Sequence, residues 1–115
     1  MAASMALVAG APTLPLAQPR KVIGGQLISA VVGVLVGTFS HSLWAAAIAG
    51  GLALGAMLAT RTSHSPAAAT AVLGTLATSS KVEYVILAGL AAVVLVAVGW
   101  IRSALTKTAY PTYWW

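Results

Sequence analysis

Side chains able to do chemistry are few in this sequence, and they do not assemble into a reactive set. Glu83 is the only acid, cysteine is absent, and the two histidines, His41 and His64, fall in separate polar breaks. General acid–base work needs paired titratable groups, and a metal needs several ligands at fixed spacing. Neither pattern is present, so an enzyme, a resident metal and a dedicated cofactor are not expected. Without cysteine there is no disulfide framework or thiolate site to consider.

The richest segment is Thr62-Ser63-His64-Ser65-Pro66. Ser65 is an N-cap type, and Pro66 stands where proline is favoured in a first helical turn. A helix starting there would present unpaired backbone N–H groups, partial positive charge and the His64 imidazole together. At membrane depth that combination binds anions. The plainer alternative is a capped loop with a solvated histidine. Two Gly-x-x-x-Gly pairs, Gly33/Gly37 and Gly51/Gly55, are read as helix-packing positions, where loss of Cβ lets backbones approach, or as a dimer face. His41 is read as polar loop. Trp44, Tyr84 and Trp100 fall at span ends, where amphipathic rings sit at headgroup level. The aromatic tail, residues 110–115, is either a similar anchor or a surface packed on a partner chain.

The elements that must position these residues are membrane helices. Hydrophobic residues make up 60% of the chain and charged ones 6%, with a mean hydropathy of +0.97. A soluble domain carries about a quarter charged residues. The apolar residues come in blocks that are apolar all round, not in amphipathic stripes. The length suits a single transmembrane domain, residues 1–115. Spans are expected at 22–39, 43–59 and 84–101, with shorter helices at 2–11 and 66–78. A Pro-rich loop at 12–21 is expected to be extended, and an aromatic tail follows at 102–115. The net charge of +5 is scattered singly at block ends, which reads as topology and not as nucleic-acid binding. If 66–78 crosses, Arg20, Lys21, Arg61, Arg102 and Lys107 share one side, with Lys81 and Glu83 opposite. The positive-inside rule then places the C-terminus on the cytosolic or an equivalent side.

A weak internal repeat relates Ala2-Ala3-Ser4-Met5-Ala6-Leu7 to Ala68-Ala69-Thr70-Ala71-Val72-Leu73 at an offset of 66 residues. The second half reads span, short helix, span, whereas the first shows only short helix and span. A three-span unit repeated in tandem must have inverted topology, because three is odd. The fold class is therefore an all-α membrane protein of about four to five full or half-membrane helices, with a possible inverted repeat whose first span is missing.

The stretch Pro12-Thr-Leu-Pro15-Leu-Ala-Gln-Pro19-Arg20-Lys-Val-Ile-Gly24-Gly25, followed by Arg61-Thr-Ser-His64-Ser65-Pro66-Ala-Ala-Ala-Thr70-Ala71, resembles the HPP integral membrane proteins, named for a His-Pro-Pro motif. The match runs from residue 2 to about 101. Two departures accompany it: Ser65 stands for the first proline of the motif, and the family's first span has no counterpart here. Some plastid members are implicated in nitrite transport, so the resemblance implies a small-anion transporter in a bacterial inner membrane or a plastid membrane. It further implies that His64, Ser65 and the N–H groups near Ala67 and Ala68 hold the anion. Arg20 and Arg61 would draw it in from the basic side, and Gln26 would add a neutral donor. Proton coupling through His64 would suit its ordinary pKa.

The competing class is an accessory subunit of a larger membrane assembly, such as a photosynthetic or respiratory complex. His41 or His64 would then be available to a pigment or haem. Either class implies lipid around the chain and a homo-oligomer or other membrane subunits as partners.

Overall fold

The structure is a computed structural model that describes residues 1–77 and 80–113, so the expected ends at Thr78 and at Trp114 and Trp115 lie outside the described residues. Five α-helices form it: α1 (Ala2–Gly10), α2 (Pro19–Gly37), α3 (Leu43–Ala59), α4 (Ala68–Leu76) and α5 (Lys81–Thr106). Single 3-10 turns, Pro15–Ala17 and Ser65–Ala67, precede α2 and α4. The chain is an all-α membrane protein. α2 and α5 are long and apolar enough to cross a bilayer, and α3 and the Ser65–Leu76 segment are shorter apolar helices. With 26 residues, α5 measures about 39 Å, more than the roughly 30 Å hydrocarbon core. The nine-residue α1 and α4 reach about 14 Å, half of that depth.

Several boundaries differ from the sequence reading. α2 starts at Pro19 instead of residue 22, because proline suits the first helical position, where its missing N–H is not needed, and Gln18 is extended ahead of it. Residues 12–21 thus hold a 3-10 turn and the start of α2 and are not extended throughout. α2 also ends at Gly37, two residues early. α5 runs beyond 84–101 at both ends, since Lys81, Glu83 and Arg102 favour helix and their charges can reach water there. Ser65 gives no side-chain cap. It opens the 3-10 turn while exposed, and Pro66 follows it. α3 does have one: the Ser42 hydroxyl accepts from the Ala45 N–H.

α2 is the hub, packed by α3, α4 and α5, while α1 lies on α5. Gly33 explains the closest approach: a Cβ there would sit 2.8 Å from the Ala71 Cα of α4. α3 seats against α2 and α4 through Ala45, Ala46, Ala49, Ala53 and Met57. Gly51 and Gly55 play no packing part here, since a Cβ on either would meet nothing within 4 Å. They stand two residues, about 200° of helix rotation, from the Ala49/Ala53 seam. The outward faces carry Leu35, Trp44, Ile48, Leu52, Val94 and Trp100, all exposed. Polar groups inside and large apolar ones outside suit lipid as the surrounding solvent.

The two halves are exchanged across the centre. Gly33 of α2 packs on α4, and Gly99 of α5, 66 residues on, packs on α1, where its Cβ would meet Val8 at 2.5 Å. Each long helix therefore holds the short helix of the other half.

Candidate functional site

The site begins where the connection between α3 and α4 lies flat on α2. Gly24 and Gly25 permit this: a Cβ on Gly25 would come within 2.8 Å of the His64 Cβ, and one on Gly24 within 2.9 Å of the Thr62 methyl. His64 is thereby carried inward to complete burial, beside the equally buried Ser4 and Gln26.

Their hydrogen bonds run in one direction. The Leu16 carbonyl can only accept, so His64 Nδ1–H donates to it across 2.8 Å. Neutral His64 then accepts at Nε2 from the Ser4 hydroxyl, 2.9 Å away. The Ser4 oxygen accepts in turn from the Gln26 amide at 3.0 Å. Thr70 donates its hydroxyl to Gln26 Oε1 at 2.5 Å. Tyr84 O–H closes the far end on the Thr70 carbonyl, 2.7 Å away. The relay links α1, α2 and α4 through buried groups and reaches α5 through the half-buried Tyr84; each buried group would cost more unpaired than it does paired. Among the described residues no buried side-chain nitrogen or oxygen lacks a partner.

Burial is the chief influence on His64 and lowers its pKa below the usual 6.5. The Leu16 carbonyl pulls the other way, and the N-terminal ammonium adds a smaller lowering. The imidazole is thus kept neutral, matching its role as acceptor from Ser4.

Outside the His64 connection lies a second feature, a pocket of about 490 Å³ lined by Gln18, Arg20, Lys21, Leu58, Arg61, Ser63 and Tyr113. Arg20 and Lys21 come from the first turn of α2, and Arg61 from the turn ending α3. Arg61 has a left-handed backbone with φ of 57°. Its N–H bonds to Leu58 O, and the Thr62 N–H to Met57 O, the pairings that close a helix C-terminus. Gln18 holds the tail beside the pocket, accepting from the Thr112 N–H at 3.0 Å while its amide donates to the Pro12 and Leu14 carbonyls. Tyr110 is buried, and its phenol, pushed up to about 12 by burial, donates to the Ala17 carbonyl. The described part of the aromatic tail therefore packs on its own chain. It also brings the end of α5 to the Arg20 and Arg61 side, leaving Lys81 and Glu83 at the far end of that helix.

The structure brings His64 and Gln26 together, but through Ser4, which the sequence reading did not single out. Arg20 and Arg61 share the outer pocket. Ser65 is exposed, Ala67 N–H bonds to the His64 carbonyl, and Ala68 N–H bonds to the Ser65 carbonyl. The helix-start N–H groups are therefore already engaged. His41, read as plain loop, ties Nδ1–H to the Thr75 carbonyl at 2.7 Å and so fastens the α2–α3 turn to α4. Tyr84 points inward to Thr70 instead of outward to headgroups, whereas Trp44 and Trp100 are exposed. The repeat carried the signal for the missed residues, since it aligns the hydroxyls of Ser4 and Thr70 within otherwise apolar helices.

Comparison with known proteins agrees with a membrane-spanning chain. The family model described as HPP, transmembrane region, matches residues 1–111. Two proteins of Dictyostelium discoideum, each named only as a transmembrane protein, are similar: one is 33% identical over 99% of this chain, the other 34% over 99%. The chain spans 40% of the first relative's length and 44% of the second's. No solved structure matches it.

Proposed function

The chain belongs to the HPP transmembrane family, and from that premise we propose that it moves small anions of the nitrite type across a membrane. The observation that carries the reading is the buried relay joining two half-length helices at repeat-equivalent positions, Ser4 and Thr70. Transporters place solute sites at such junctions of short helices near mid-membrane. The relay is rich in neutral donors: the Thr70 hydroxyl now donates to Gln26, the Gln26 amide to Ser4, and the Ser4 hydroxyl to His64. A small anion between them would accept those same hydrogens and meet no carboxylate. Neutral His64 adds no fixed cation that would hold it too tightly to release. Arg20 and Arg61, in the pocket just outside His64, raise the local anion concentration.

In this reading the cationic end, with the C-terminus, lies on the cytosolic or stromal face, as the positive-inside rule favours. The function needs no covalent step, metal or cofactor. Nitrite uptake into vesicles containing the purified chain tests it. Uptake above that of empty vesicles, and reduced by Gln26→Leu and His64→Ala, is expected; uptake equal to that of empty vesicles, or untouched by both changes, sinks the proposal.

One observation favours the accessory-subunit reading. An open apolar groove of about 420 Å³ between α1 and α5 is lined by Ala2, Met5, Ala91, Leu95 and Val98, among others. At the repeat offset these residues correspond to Ala68, Ala71, Gly25, Ser29 and Val32, which lie along the α2–α4 seat of α3. A membrane helix from outside these residues would fit there as α3 fits its own seat. Both ring nitrogens of His64 are taken, so a haem or pigment in such an assembly would turn to His41. Purification at fixed stoichiometry with a cofactor-bearing subunit would favour this reading, and the chain recovered alone would oppose it.

A further inference from the structure

We propose that the pocket lined by Lys21, Arg61 and Ser63 is a seat for the phosphate of an anionic phospholipid. The seat stands whether or not the chain conducts anions.

Its charge is unusual for its location. The first turn of a helix favours acidic side chains, because its N–H groups already carry partial positive charge. α2 instead places Arg20 and Lys21 there, with no acid in the turn. Arg61 joins them from the end of α3. Lys21 and Arg61 in the pocket wall favour an anion, and the Ser63 hydroxyl adds a neutral donor beside them.

Size and position select the kind of anion. About 490 Å³ is far more than a triatomic ion needs and lies in the range of pockets that hold whole organic ligands. The pocket opens at the ends of two membrane helices, the level at which headgroup phosphates lie. Its remaining wall includes Leu58, which is 61% exposed and continues into the apolar outer face of α3. A diacyl lipid can therefore place its phosphate among the cations and lay an acyl chain along Leu58. A free phosphate shares the polar half of that chemistry but makes no use of Leu58. Basic pockets between membrane helices on the positive side take anionic headgroups in this way. The phosphate would sit on the solvent side of Ser63, one residue outside His64, and so would not enter the relay.

The test is native mass spectrometry of the full chain in mild detergent, titrated with phosphatidylglycerol or phosphatidylcholine. Phosphatidylglycerol should bind more tightly than phosphatidylcholine, and inorganic phosphate at matched concentration should not displace it. Each cation removed, in Lys21→Gln or Arg61→Gly, should weaken binding about fivefold, while Lys81→Gln at the far end should leave it unchanged. Arg61→Gly also guards against misfolding, because glycine prefers the left-handed backbone that Arg61 adopts. Equal binding of the two lipids, or no loss in either pocket variant, would overturn the proposal. Displacement by free phosphate would reassign the pocket to a soluble anion and overturn it equally.

Discussion

Replacing Gln26 by leucine and Thr70 by valine, singly and together, probes the relay at its centre. Both changes roughly conserve volume, so the loss is chiefly of hydrogen bonds. Gln26→Leu removes two, from its amide to Ser4 and from Thr70 to its carbonyl. Side-chain hydrogen bonds between membrane helices average about 0.6 kcal/mol and reach about 1.7, against about 1 in soluble proteins. Neither neighbour is wholly orphaned. Ser4 keeps its bond to His64, and Thr70 can turn its hydroxyl back to a carbonyl of its own helix. The single change should therefore cost about 1–2 kcal/mol, and Thr70→Val about 0.6–1.7. Their shared bond can be lost only once, so the double variant should be more stable than the summed costs imply, by about 0.6–1.7 kcal/mol. Unfolding of the chain in mixed micelles by increasing sodium dodecyl sulfate measures all four corners of the cycle. Additivity within about 0.3–0.5 kcal/mol would show that the two side chains do not act on each other, and the relay would lose its middle link.

Other outcomes follow from the same packing. Gly33→Ala should destabilise by about 1–3 kcal/mol, since its Cβ meets the Ala71 backbone; Gly51→Ala, with open space around it, should stabilise by about 0.5–1. Thermal unfolding of the two variants side by side distinguishes them. Burial holds His64 below its usual 6.5, so the unfolded chain gains a proton that the folded chain refuses. Stability should fall as pH drops below about 6.5, by at most about 1.4 kcal/mol per pH unit, and His64→Gln should remove that part of the slope in micelle unfolding measured from pH 7.5 to 5. Tyr110→Phe deletes a buried bond to the Ala17 carbonyl and should cost about 1–3 kcal/mol, with proteolysis in the tail rising in parallel. Arg61→Gly should gain about 1 kcal/mol through relief of its left-handed backbone, read as a higher unfolding midpoint.

The bilayer helices were legible because their blocks are apolar all round, a pattern that no water-facing surface explains. That same uniformity hid which face each helix buries. Two identical Gly-x-x-x-Gly pairs differ completely in space: Gly33 and Gly37 touch α4, while Gly51 and Gly55 touch nothing. His64 could be picked out because a titratable ring beside proline is conspicuous in this composition. Its partners could not, since the Ser4 bond spans 60 residues and the Leu16 carbonyl offers no side chain to read. The expected anion site at the start of α4 rested on free N–H groups, yet the 3-10 turn engages those of Ala67 and Ala68. Only the aligned hydroxyls of Ser4 and Thr70 pointed to the relay, and an alignment gives equivalence, not contact.

Nitrogen-15 NMR of histidine-labelled chain, titrated with nitrite, tests the relay as an anion seat most directly. Nitrite drawing the Ser4 hydroxyl away should shift His64 Nε2 saturably and leave His41, tied to Thr75 at the α2–α3 turn, unmoved. A His64 signal indifferent to nitrite, or a shift shared equally by both histidines, would contradict the assignment of the relay as the transport site.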